Sequence, residues 1–131
     1  MTQDRASGAA ANKWGRETAR KIALQIGAVM KDQTSNEALL AGKTIVIKCA
    51  ASATDSVGVT FKMLDRLDSI IGAFQLDDGS YELWSLSPDK FRQEMRDTRS
   101  KGSAAGKVGI VRKDSFEKGG AVLSRIRLDE T

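Results

Sequence analysis

The sequence predicts a single α/β domain with a mixed central β-sheet flanked by helices. Three observations carry that expectation. The length, 131 residues, suits one domain with one modest core. Apolar residues recur at helical spacing early in the chain and then give way to short β-branched runs. Along the chain the order reads helix, strand pair, helix, hairpin, helix and closing strands, with no internal repeat.

Residues 1–12 are small and polar with nothing to bury, and read as a flexible N-terminal arm, leaving 13–131 as the domain. From Lys13 to Lys31, Ala19, Ile22, Ala23, Ile26, Val29 and Met30 form the stripe of an amphipathic helix, with Asn12 placed to cap it. After a polar stretch, Asn36–Leu40 and Lys43–Ala50 flank a turn at Ala41-Gly42. The second run is β-branched and reads as a buried strand, with Ile45 and Ile47 on one face and Thr44, Val46 and Lys48 on the other. A second helix is expected over Val57–Ser69, with Phe61, Leu64 and Leu67 inward. Ile70–Leu76 and Tyr81–Leu86 then form a hairpin about Asp77-Asp78-Gly79. Ser87-Pro88 starts a third helix, serine as cap and the only proline at its first position, with Phe91 and Met95 inward. Residues 100–107 read as a mobile glycine-rich basic loop, and Val108–Val111 and Ala121–Leu128 as closing strands.

Composition excludes whole classes of chemistry. Hydrophobic residues at 40% and charged residues at 29% are ordinary for a globular chain. No apolar run approaches the ~20 residues of a membrane span. No secretory h-region is visible, so the expected location is cytoplasmic. The single cysteine, Cys49, precludes an internal disulfide and a Cys-rich zinc site, and reads as a small buried hydrophobe. The absence of histidine removes Ser-His-Asp and Cys-His nucleophile schemes. What remains is carboxylates, lysines, hydroxyls or a hard metal held by oxygen. Nor is there a P-loop, since Gly42-Lys43-Thr44 runs into a strand and 102–106 lacks the required ending.

Charge is unevenly placed. The formal net charge is +4. From Phe91 to Lys113, Arg92, Arg96, Arg99, Lys101, Lys107, Arg112 and Lys113 face only Glu94 and Asp97. With Lys62 and Arg66 on the outward side of the second helix, this makes a positive field whose simplest partner is a nucleic acid, double-stranded DNA above all. Trp14, beside Lys13 and Arg16, can stack on a base or sit at the edge of the core. Glu17 and Lys21, four apart on one helix, read in the first place as a surface ion pair, ahead of a catalytic role. Asp65, Asp68, Asp77 and Asp78 read as solvated helix face and turn chemistry.

Lys48 is the unusual residue. A lysine inside a buried strand needs a partner or a cavity, unless it snorkels to solvent from an edge strand. Across the turn stands Glu37, close to one end of the same strand pair. A carboxylate beside a lysine can hold a divalent cation and orient a water, as phosphodiester hydrolysis requires.

An N-terminal helix bearing an acid, then Asn36-Glu37-Ala38, a short turn and a strand ending in Lys48, resembles the core of the PD-(D/E)xK nucleases, in particular the small homodimeric type II restriction endonucleases. The Ile71–Phe74 strand and Tyr81–Asp89 extend the resemblance over residues 13–95. It implies a restriction-endonuclease-like fold and a deoxyribonuclease dependent on Mg²⁺ (or Mn²⁺). Glu37 would match the first metal-binding acid, and Lys48 the lysine that orients the attacking water. The position two residues before the lysine, an acid in that family, is Val46, so Glu17 or else Asp55 would supply the missing carboxylate. A homodimer is expected, because two-fold symmetry lets one small chain address both strands of a duplex. The alternatives are a non-catalytic nucleic-acid-binding or regulatory protein on a degenerate nuclease fold, and a protein–protein adaptor whose basic face is incidental.

Overall fold

The computed structural model describes residues 5–31, 35–52, 54–97 and 108–128. Helix α1 (Arg5–Ile26) starts at Arg5 rather than Lys13 and ends at Ile26 rather than Lys31. At the start, Ala6, Ala9, Ala10 and Ala11 are strong helix formers, so backbone expected as a loose arm continues the helix. At the end Gly27 takes φ 81° and the Ala28 N–H donates to the Ala23 carbonyl at 2.9 Å, a Schellman stop that only glycine adopts without strain. Val29–Met30, expected as the helix end, form a short strand β1 instead.

Strands β2 (Glu37–Leu40) and β3 (Lys43–Ala50) form the expected hairpin. Its two-residue loop has both Ala41 (φ 53°) and Gly42 (φ 81°) in the left-handed region, the twist that matches flanking strands. Strands β4 (Ser56–Thr60) and β5 (Ser69–Gln75) are joined by a single helical turn, α2 (Phe61–Leu64). Then follow β6 (Tyr81–Leu86), α3 (Pro88–Glu94), β7 (Arg96–Asp97), β8 (Val108–Arg112), α4 (Lys113–Gly119) and β9 (Ala121–Ile126). The six-stranded sheet has the order β1-β2-β3-β5-β6-β9, with β3 and β5 parallel and every other pair antiparallel. A second sheet, β4-β8-β7, is antiparallel. This is a small α/β domain with a mixed central sheet, as the sequence led one to expect.

The helix expected over Val57–Ser69 is a correction. Val57 and Val59 are buried at alternating positions, and the whole Ser56–Thr60 run pairs with β8, so a period of two prevails over the helical period. Helix is confined to α2, where the Thr60 hydroxyl accepts from the Met63 N–H at 3.2 Å. Leu64 and Leu67 still point inward. The Ser87 cap and Pro88 start of α3 are found as expected, with Phe91 fully buried. Helix α4 is additional, and it places Phe116 in the core. The glycine-rich loop expected over 100–107 lies outside the described residues.

Two apolar layers cover the central sheet. On one face Ile45, Ile47, Ile71, Ala73 and Leu83 pack under Ala19, Ile22 and Ala23 of α1. On the other, Val46, Ala50, Ile70, Phe74 and Leu86 meet Val57, Val59 and Val111 of the second sheet, with Leu64, Phe91 and Phe116. At the centre of that layer Phe116 sits edge-on to Phe74, ring centroids 5.3 Å apart at 72°. Gly72 makes the room, because a Cβ there would lie 2.7 Å from the Phe74 ring. Among the described residues no helix is long and apolar enough to cross a membrane.

Candidate functional site

The alternation of β3 decides where Lys48 goes. Ile45 and Ile47 face α1, so Val46, Lys48 and Ala50 face the second sheet. Lys48 pairs with Gly72 on β5, which pairs with Trp84 on β6, so no side chain stands immediately beside it on that strand. The result is a half-buried lysine lining a cavity of about 380 Å³ at the carboxyl end of β3, together with Trp14, Asn36, Thr54, Ser56 and Gly58.

Among the described residues nothing hydrogen-bonds to the Lys48 amine and no carboxylate reaches ion-pairing distance of it. Burial therefore pushes the amine below its ordinary pKa; the opposing influence, Cys49, is weaker. Burial also drives the Cys49 thiol up to about 12, so no thiolate forms near neutrality to balance the lysine. None of the described residues lining the cleft is acidic.

Of the acids expected to join Lys48, Glu37 shares its sheet face one residue pair away but is engaged by Arg66, while Glu17 and Asp55 stand on other elements. Glu37 lies on β2 opposite Val46 and is 6% exposed. Its carboxylate takes both arms of Arg66, with Nε to Oε1 at 2.9 Å and Nη2 to Oε2 at 2.7 Å, a fork-on-fork pair. Glu17 sits on α1, over the opposite face of the sheet, with Lys13 Nζ at 3.8 Å rather than Lys21 as its ion-pair partner. Asp55, in the loop after β3, meets Arg112 at 3.4 Å, both side chains exposed. Among the described residues no three acidic, thiol or imidazole groups gather where they could hold a metal ion. Magnesium is usually held by one or two carboxylates, with waters and substrate oxygens completing its shell, and Glu37, Glu17 and Asp55 form no such three-group cluster among the described residues.

The basic patch divides likewise. Arg66 is held by Glu37, Arg92 by Asp65, Arg112 by Asp55, and Lys113 by Glu82 at 3.4 Å. Lys113 also lies 5.8 Å over the Phe74 ring, at the wall of a second recess of about 350 Å³ that shares Thr54 with the Lys48 cleft. Lys62 and Arg96 are exposed and form no ion pair with a described acid. Arg99, Lys101 and Lys107 lie outside the described residues.

A slightly larger hollow, about 420 Å³, is lined by Lys21, Leu24, Gln25 and Leu128. Leu24 is 82% exposed there, so it is an open surface groove and the smaller Lys48 cleft is the chemically equipped one. Sequence reasoning singled out Lys48 and Trp14 but missed Asn36, Thr54 and Ser56. The alternating Ser56-Val57-Gly58-Val59-Thr60 run was the available signal, since a strand there carries Ser56 to the cleft rim. Compared with protein-family models and with curated proteins, the chain matches no family model and no curated relative.

Proposed function

We propose that this chain is a non-catalytic nucleic-acid-binding protein, on a degenerate frame resembling the PD-(D/E)xK nucleases, with Lys48 as its phosphate-docking group. One observation carries the reading: an ammonium group with no acid partner, recessed in a cleft without acidic side chains among the described residues. A buried, unpaired cation is unfavourable, and an anion entering the cleft removes that penalty. Trp14 at the rim adds an aromatic surface of the kind on which bases stack. The formal net charge of +4 favours encounter with a polyanion. Metal-dependent cleavage is the less favoured reading, because the Glu37 carboxylate is bound by Arg66 and the other two acids do not reach it.

Fluorescence anisotropy of a labelled oligonucleotide at low salt tests this. Binding is expected, weakening with added salt, and Lys48→Ala should weaken it about tenfold, the loss of one charge-assisted contact. No binding at low salt would favour the adaptor reading. A plasmid assay in Mg²⁺ or Mn²⁺ should return intact plasmid; cleavage abolished by Glu37→Gln would restore the nuclease reading.

A further inference from the structure

Resting on that reading, we infer that the Lys48 cleft receives one unpaired nucleotide, its phosphate against Lys48 and its base against Trp14, so that the protein prefers single strands and frayed ends to intact duplex. The size of the cleft is the first argument. About 380 Å³ is the volume of a small-ligand pocket, ample for one nucleotide and far too small for a duplex. The depth is the second. The Lys48 side chain is half-buried where β3 faces the second sheet, so a phosphate free to turn inward meets it more readily than one held in line along a base-paired helix. A single strand can rotate one nucleotide out of line, as single-strand-binding grooves require.

The chemistry of the walls is the third argument. Lys48 supplies the charge, the Thr54 and Ser56 hydroxyls supply donors that rotate to suit, and the Asn36 amide can read a base edge. Trp14, partly buried against the α1-side core, holds its ring in place as a stacking surface. The protein's exterior is the fourth. Duplex binding without base contacts depends on many free cations along the phosphate backbone. Of the six described cations in the expected patch, Arg66, Arg92, Arg112 and Lys113 are ion-paired with acids of the chain itself. Displacing those acids opposes a broad duplex contact. Lys48, recessed and without an ion-pair partner among the described residues, is not opposed in that way.

Trp14 can report its own occupancy. The chain has two tryptophans, and Trp84, whose indole N–H donates to Glu82 at 2.8 Å, lies outside the cleft lining. In a Trp84→Phe background, checked for intact folding by circular dichroism, Trp14 is the sole indole emitter. Titration with a twelve-residue oligothymidylate should quench it. The same strand annealed to oligoadenylate should bind at least tenfold more weakly. Lys48→Ala should weaken single-strand binding about tenfold while the melting temperature does not fall, which separates lost contact from lost fold. Equal or tighter binding of the duplex overturns this inference, as does single-strand binding that leaves Trp14 emission unchanged. In either case Lys48-dependent binding to nucleic acid still stands. Failure of both strand forms to bind at low salt overturns the inference and the nucleic-acid reading together.

Discussion

Lys48 brings a positive charge into a half-buried position with no acid among the described residues to receive it, and the sign of its effect on stability follows. Its pKa in the folded chain lies below the ordinary 10.5, so between the two values the unfolded chain binds more protons and stability rises with pH. Below both, the buried ammonium is a constant penalty. Lys48→Met keeps the side-chain length and removes the charge. At pH 7 it should raise the melting temperature by about 2–5 °C, of order 1 kcal/mol. The difference should close as the pH approaches 10.5 in a series of thermal melts; a variant less stable than the parent at pH 7 would show that the amine has a partner. Lys48 was legible because a charge interrupts a β-branched run. The Arg66 that claims Glu37 was not, since it stands 29 residues away and reaches Glu37 only once the chain has turned back through α2.

At the scale of elements, two glycines matter for different reasons. Gly27 takes a left-handed conformation at the end of α1, with nothing within 4 Å of where a Cβ would stand. Gly27→Ala therefore meets only backbone strain, about 1 kcal/mol. Gly72 lies in β5 under the Phe74 ring, and its added Cβ would stand 2.7 Å from Phe74 and 3.0 Å from Phe116. Gly72→Ala must push apart the aromatic layer between the sheets, costing about 2–3 kcal/mol. Urea unfolding of the pair should rank Gly72→Ala as the more damaging. The reverse order would mean that the rings do not close over β5. Gly27 was a readable stop signal in the sequence, outweighed by the apolar residues Val29 and Met30 that continue the helical spacing. The β4 strand was misread because Val57, Phe61 and Leu64 also fit a helical stripe, and only pairing with β8 selects the two-residue period.

At the scale of the whole molecule, Asp78 ties three distant segments together. From the β5–β6 hairpin turn its carboxylate receives Arg125 and Arg127, each at 3.2 Å, while the Arg127 carbonyl accepts from Gln25 of α1 at 3.5 Å. The carboxyl is held down to about 2, first by the Ser80 hydroxyl and Ser80 N–H, then by Arg127 and Arg125. A carboxyl depressed on folding contributes stability above its unfolded value, 3.8, and loses it as the pH falls through about 2. Asp78→Asn should thus lower the urea midpoint at pH 6, with the gap to the parent shrinking steadily between pH 4 and pH 2. A gap independent of pH would mean that the variant acts by some route other than charge. This closure joins the chain beyond β9 to the hairpin and to α1, and no local pattern in the sequence announces it.

By itself the sequence determined what local periodicity and turn chemistry can encode. That covers the apolar stripe of α1, the β2–β3 hairpin about Ala41-Gly42, the β5–β6 hairpin, the Ser87-Pro88 helix start and the mixed α/β class. It also determined that Lys48 would need a cavity or a partner, because a charged group in a strand is costly wherever the strand packs. Only the tertiary structure decided between the two, giving Lys48 a cleft at the carboxyl end of β3 and giving Glu37 to Arg66. The physical reason is one of range. Hydrogen-bonded turns and helical faces are settled within a few residues, whereas the partner of a charge is whichever opposite charge the folded chain carries to it.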